Sequence, residues 1–166
     1  MRRVPITETS LIITWFTEKT GKIRTVAKGA RRPRSVFSGK LDLFYESEIQ
    51  YAKSRRSDLH SLREVKTISH YGGIRKSYHS TLLASYWIEL IELVTEPEHP
   101  APELFHLLQR GFGYLEQSGA DKRAMKHFET ETARYLGIQG GPASIAIGRV
   151  YHRLPRGRSE LIRLLP

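Results

Sequence analysis

Cysteine is missing from all 166 residues. Without a thiol the chain can build no disulfide framework, no CxxC redox pair, no cysteine nucleophile and no cysteine-ligated zinc. Long apolar runs are missing too. The longest, Leu82 to Val94, is interrupted by Glu89 and Glu92 and is too short and too charged to cross a bilayer. The opening MRRVPITETSLIITWF carries two arginines but only Leu11 to Ile13 as an apolar core, with no small-residue cleavage site, so no signal peptide is expected. Internal repeats and low-complexity tracts are absent as well, and 39% hydrophobic with 27% charged residues is ordinary globular usage. These exclusions leave one compact domain or two small ones, and a soluble, cytoplasmic protein.

What the first half lacks is negative charge. The chain carries 27 Lys and Arg against 17 Asp and Glu, and residues 1–80 hold 17 basic and 7 acidic side chains while residues 81–166 hold ten of each. All of the net charge of +10 therefore sits in the first half. Such segregation suggests a basic module that meets a polyanion, joined to a neutral module that packs or recruits; charge serving solubility alone would be spread more evenly.

The hydrophobic period changes near residue 80. Before it, Leu11, Ile13 and Trp15 alternate as a strand, and Leu41, Leu43, Tyr45, Ser47, Ile49 and Tyr51 share one face of a longer one. Between them, after a turn ending in Gly21, the segment Lys22 to Lys28 places Ile23 and Ala27 on one side and Lys22, Arg24 and Lys28 on the other. A weaker strand is expected from about Leu62 to Ser69. Short strands at this spacing predict a small antiparallel barrel, here residues 1–78. Residues 79–166 read as helical. Leu83, Trp87, Leu90, Ile91 and Val94 form one stripe ended by Pro97, and Pro102 opens a second helix with Leu104, Leu108, Phe112 and Leu115 inward. Asp121 caps a third, with Met125, Phe128, Thr132 and Leu136 inward; a glycine-rich link follows from Gly137 to Pro142, and a short stripe runs from Leu161 to Leu165. The expected class is α+β, an OB-like barrel followed by a helical domain.

The sharpest chemical signal is the basic ladder and the loop it feeds, Gly29-Ala30-Arg31-Arg32-Pro33-Arg34. Phosphate binding needs cations on a track at backbone spacing, and Lys22, Arg24, Lys28, Arg31, Arg32 and Arg34 supply one, with Lys40 beyond and Arg55 and Arg56 on a second basic turn. A solvated charged face is the bland alternative. Phe37 and Phe44 are the candidates for base stacking, one beside the loop and the other on the polar face of its strand, although aromatics in a small barrel are usually core.

Other chemistry fails on spacing. Glu103 and His106 match half of a di-iron motif, but His127, Glu129 and Glu131 do not supply the rest, and the remaining histidines show no ligand spacing, so no metal is expected. Gly39-Lys40 is followed by Leu41, not Ser or Thr, and no GxSxG elbow is present; Asp58, His60 and Ser61 are too close in sequence to converge as a triad. No enzyme and no cofactor is expected.

Glu8-Thr9-Ser10-Leu11, Phe16-Thr17, Gly21-Lys22-Ile23 and the run Val26-Ala27-Lys28-Gly29-Ala30-Arg31-Arg32-Pro33 together resemble the amino-terminal signature of the RecO family of bacterial recombination mediators. Leu41 to Tyr45, Asp58 to Leu62, Ala84 to Leu90, Pro102 to Phe105 and Tyr135-Leu136-Gly137 continue the resemblance in order, over roughly residues 8–140. The resemblance implies an OB barrel and a helical domain, single-stranded DNA binding and annealing in DNA repair, recombinase loading, a location at the cytoplasmic nucleoid, and two partners: the acidic tail of the single-strand-binding protein, and RecR. Three departures stand out. The cysteine-rich zinc element of many members has no cysteine here, the carboxyl-terminal part is short, and the amino terminus reads as clipped, with Pro5 placed where it costs a ladder hydrogen bond unless the strand is an edge. Two other readings of the charge stay open: a module for structured RNA, and an adaptor that recruits a protein with an acidic tail.

Overall fold

The computed structural model describes residues 2–166. They divide into two compact units, one made of the chain up to His70 together with Glu96–Pro100, the other of Tyr71–Thr95 and Ala101–Pro166.

The first unit is a five-stranded sheet: β1 (Arg2–Pro5), β2 (Leu11–Thr17), β3 (Gly21–Ala27), β4 (Glu46–Ala52) and β5 (Leu59–Ser69), in the order β1-β2-β3-β5-β4. The pairings β1–β2, β2–β3 and β4–β5 are antiparallel, but β3 and β5 run parallel. This corrects one part of the expectation, that every pairing is antiparallel; the α+β class, an OB-like sheet followed by helices, stands. The long connection from Ala27 to Glu46 lets β4 skip one position, and β5, returning through a tight turn, fills the gap in the direction of β3. No pairing joins β1 to β4 among the described residues, so the sheet stays open, as OB barrels partly do. β1 is thereby an edge, and Pro5, opposite Leu11, sits where a missing N–H is tolerated.

β3 obeys its alternation: Ile23, Thr25 and Ala27 are buried, and Arg24 between them is exposed. The Trp15 indole N–H donates to Thr25 Oγ1 at 2.9 Å, which satisfies a hydroxyl that would otherwise be stranded in the interior. The core behind the sheet is Ile13, Ala27, Phe37, Leu41, Leu62 and Val65, with Leu11, Trp15, Ala30 and Ile49 packed against it. Two strand boundaries differ from the sequence pattern. β4 begins at Glu46, because Phe44 takes a positive φ of 67° and breaks the apparent alternation from Leu41. β5 begins at Leu59 and runs for 11 residues.

The second unit is helical: α1 (Gly72–Lys76), α2 (Tyr78–Val94), α3 (Pro102–Ser118), α4 (Lys122–Tyr135), α5 (Ala143–Tyr151) and α6 (Arg158–Leu164). Ser77 caps α2 by accepting from the Ser80 N–H at 3.3 Å, and Asp121 caps α4 by accepting from Ala124 N–H at 2.6 Å. Leu83, Trp87, Leu90, Ile91 and Val94 of α2 are all buried. Trp87 stacks on Phe128 of α4 with ring centroids 4.6 Å apart, and α3 closes over it at Gly111, where a Cβ would lie 2.8 Å from the indole. Glu129, buried on α4, is held by the Arg158 guanidinium of α6 at 2.6 and 3.1 Å and by the Tyr86 hydroxyl of α2 at 2.5 Å. Burial and the adjoining carboxylate push the Tyr86 phenol far above its ordinary range. The helices α1 and α5 carry no stripe long enough to be read from the sequence.

Candidate nucleic-acid interface

The outward face of β3 carries Lys22, Arg24 and Val26, and Lys28 follows at its end. From Ala27 to Leu41 the backbone is a succession of turns: Ala30 N–H donates to Ala27 O, Arg32 to Gly29 O, Ser35 to Arg32 O, Ser38 to Ser35 O and Lys40 to Phe37 O, at 3.0 to 3.4 Å. Two groups pin this loop. Phe37 and Leu41 enter the core beneath it, and the Arg31 N–H bonds Thr9 O at 3.0 Å beside the β1–β2 turn. Arg34 adopts a positive φ of 62°, an arginine where glycine or asparagine would be at ease.

The loop therefore shows its cations outward on a fixed backbone. Lys28, Arg32, Arg34, Lys40, Arg55 and Arg56 are exposed and join no ion pair among the described residues. Arg31 is exposed, with one guanidinium nitrogen 3.4 Å from Thr7 O. Arg24 is different: its guanidinium lies 3.0 Å from Asp58, which both spends its charge and ties the β4–β5 turn to β3. That turn is knit by serines, with Arg56 N–H donating to Ser54 Oγ and Leu59 N–H to Ser57 Oγ, so Arg55 and Arg56 point to solvent next to the ladder.

The two stacking candidates need correction. Phe37 and Phe44 are each only 6% exposed, so neither ring face is open to a base. Phe37 anchors the loop from below, and the turn at Phe44 folds its ring inward. The aromatic that does lie on the outward face is Phe16, directly across from Lys22 in the β2–β3 register and partly exposed. Its opposite parity to Leu11, Ile13 and Trp15 was the signal that places it there. Arg2 joins the same face by pairing with Thr14, which pairs with Arg24.

A strap borders the ladder. Residues Glu96–Pro100 lie along β3, with Pro97 bridging Lys22 in parallel and Glu98 N–H donating to Lys22 O at 2.9 Å. The Glu98 carboxylate reaches Lys53 Nζ at 2.6 Å and the buried His60 Nε2 at 3.3 Å, while His60 Nδ1 accepts from Ser54 N–H and the ring stacks on Tyr51. The Lys53 ammonium holds the Glu98 carboxyl below its ordinary range, and Glu98 in turn raises Lys53. Gly21 makes the strap possible: at φ 74° it is left-handed, and a Cβ would stand 2.0 Å from His99 O.

Among the described residues no group of three or more His, Asp or Glu is placed to hold a metal, and the chain has no cysteine. The donor set does not fit a zinc element. Among the described residues no helix is long and apolar enough to cross a membrane.

Residues 1–71 match the family described as Recombination protein O N terminal, and residues 75–139 match Recombination protein O C terminal. The chain is 32% identical over 140 residues to the DNA repair protein RecO of Syntrophus aciditrophicus, covering 84% of this chain and 53% of that protein. It is 36% identical over 123 residues to that of Desulfatibacillum aliphaticivorans, covering 74% and 48%. The figures for Rhodopirellula baltica are 31% over 137 residues, covering 82% and 51%. The chain thus spans about half the length of the curated relatives it matches. With an open five-stranded sheet leading into helices and both family halves matched in order, the chain belongs to the RecO family.

Proposed function

We propose that this chain acts in DNA repair as a non-enzymatic recombination mediator, binding single-stranded DNA along β3 and its loop. The observation that carries the reading is the row of exposed, unpaired cations from Lys28 to Lys40, displayed on a loop that its own turns and the buried Phe37 hold in place. A strand laid on that row exchanges its counterions for fixed guanidinium and ammonium groups, and its bases stay free because phosphates are what the cations bind. Two complementary strands repel each other, so a surface that neutralises them promotes annealing without any covalent step. Phe16 offers a partly exposed ring on the same face as Lys22, suited to sequence-tolerant stacking. The family relation supports work on DNA covered by single-strand-binding protein, with its acidic tail and RecR as partners and a recombinase as the protein loaded, at the nucleoid in the cytoplasm.

The test is a titration of fluorescent single-stranded DNA over several salt concentrations, beside duplex DNA and hairpin RNA of matched length. Tightest binding to the single strand, with a log-log salt slope of roughly −3.5 for about five phosphate contacts, is the expected result. Tighter binding to the hairpin would replace this reading with an RNA module. No binding of DNA at physiological salt, together with capture of an acidic-hydrophobic peptide, would replace it with an adaptor.

A further inference from the structure

Residues 81–166 hold equal numbers of basic and acidic side chains, yet their faces are not neutral. On α4, Met125, Phe128, Glu129, Thr132 and Ala133 are buried, while Arg123, Lys126, His127, Thr130 and Arg134 are exposed. The exposed set falls at i, i+3, i+4, i+7 and i+11, a single stripe along the helix. The acids of α4 are already spent. Glu129 lies inside with Arg158, and Glu131 is held by Arg134 at 2.7 Å. Arg110 of α3 and His127 also lie close enough to Glu131 to favour its charged form, and the Tyr114 hydroxyl of α3 donates to Asp121, the cap of α4, at 3.1 Å, so α3 contributes Arg110 and Tyr114 to the border of the stripe. Arg110, Arg123 and Lys126 join no ion pair among the described residues.

We infer that the α4 stripe, bordered by Arg110, is a second polyanion-binding surface, and that its occupant is a strand of nucleic acid. The inference rests on the reading of this chain as a nucleic-acid binder and adds a second site to it. From Arg123 to Arg134 the stripe runs about 16 Å at 1.5 Å per residue, with Arg123 and Lys126 as its cations outside ion pairs and Arg134 tied to Glu131 at the far end. That length follows several phosphates, which lie roughly 3.4 Å apart along a stacked strand. An acidic peptide with hydrophobic side chains would need an apolar groove as well as charge. Of the large exposed hydrophobic side chains, only Tyr114 belongs to α3 or α4, and its hydroxyl is tied to Asp121 at 3.1 Å. Charge without a groove suits a phosphate backbone better than a peptide. Annealing needs two strands held at once, and two separate cationic surfaces on one chain meet that need.

The variant Arg110→Gln, Arg123→Gln, Lys126→Gln removes three charges, breaks no ion pair and keeps good helix formers in place, so its melting should match the parent. A fluorescent thymidine homopolymer gives stoichiometry and salt slope, and a complementary pair of oligonucleotides gives the annealing rate. The expected result is two strands per parent chain and one per variant, with a loss of about two units of total salt slope and annealing slowed at least tenfold. Arg31→Ala, Arg32→Ala serves as the partner variant on the first site. If the triple variant keeps the parent's stoichiometry and annealing while the loop variant loses affinity, the second surface is refuted and the first stands. If the parent binds no single strand, both fall. One strand per parent chain also refutes the inference. Loss of binding to an Asp/Glu-rich peptide, with DNA stoichiometry unchanged, would reassign the stripe to a protein partner and overturn it.

Discussion

The loop from Lys28 to Lys40 can be tested by changing Arg31 and Arg32 together to alanine. Both side chains are exposed, and the only bond at risk is the long one from Arg31 to Thr7 O at 3.4 Å, so folding should change by about 0.5 kcal/mol or less. Binding should change more. At about 0.7 slope units per phosphate contact, five contacts give roughly −3.5 and three give roughly −2.1. A fourfold rise in salt then weakens the parent about a hundredfold and the variant only about twentyfold, with all sequences affected alike because phosphate contacts carry no base information. The ion pair at β3 supplies an internal control of opposite sign. Arg24 lies 3.0 Å from Asp58, so Asp58→Asn should free a cation already in the row and steepen the slope by up to about 0.7. Fluorescence anisotropy at four or more salt concentrations measures all three proteins, and Arg153→Ala, Arg156→Ala in the tail should have the smaller effect. An unaltered slope in the loop variant, with binding lost in the tail variant, would refute the assignment of the track to the first unit.

Three further outcomes follow from packing and charge. Trp87→Ala removes a ring that is 1% exposed and stacked on Phe128, and should cost about 3 to 5 kcal/mol in thermal or denaturant unfolding of the helical unit; parent-like melting would mean the stripe is not core. Gly21→Ala puts a methyl 2.0 Å from His99 O at a left-handed residue, so the strap must lift and lose its bond to Lys22 O; a loss of about 2 to 3 kcal/mol is expected, and an unchanged melting temperature would show that the strap is not seated there. Glu98 has its folded carboxyl value depressed by Lys53, so its contribution is complete above the ordinary carboxylate value of about 4.3 and is lost as pH falls through the depressed one. Melting temperatures of parent and Glu98→Gln should therefore differ at neutral pH and converge in acid, and a constant difference across that window would contradict the ion-pair account.

Much of the fold was legible because it rests on period. The stripe of Leu83, Trp87, Leu90, Ile91 and Val94 is buried as its spacing requires, and Asp121 caps α4 where an acceptor before an apolar run should. β3 was legible for the same reason, Ile23 and Ala27 inward and Arg24 outward. What period cannot show is partner direction. The parallel pairing of β3 with β5 depends on a connection that skips a strand position, and nothing local in Leu59–Ser69 encodes which neighbour it meets. Alternation also misleads where one residue leaves the β region: with Phe44 left-handed, Leu41 and Leu43 keep the parity of a strand without belonging to one.

The site divides along the same line. Cations are costly to bury, so a basic ladder read from sequence is found on the surface, and Lys28, Arg32 and Arg34 are there. An aromatic is stable on either side of a sheet, so Phe37 beside the basic loop carried no mark of which side it takes. Its burial serves the proposed site in another way. A loop of consecutive turns has little holding it except its own hydrogen bonds, and a ring worth about 3 to 5 kcal/mol in a packed interior fixes the backbone on which the arginines stand. Fixing that backbone beforehand reduces what a strand must spend on ordering its binding partner. Net charge says nothing of faces in the second half for a related reason. A sum over residues 81–166 counts every charge alike, but Glu129 is buried with Arg158 and Glu131 is held by Arg134, while Arg123 and Lys126 of α4 are exposed outside any ion pair among the described residues. A polyanion responds to that exposed field, which depends on how the helix is rotated against its core and not on the total charge of the segment.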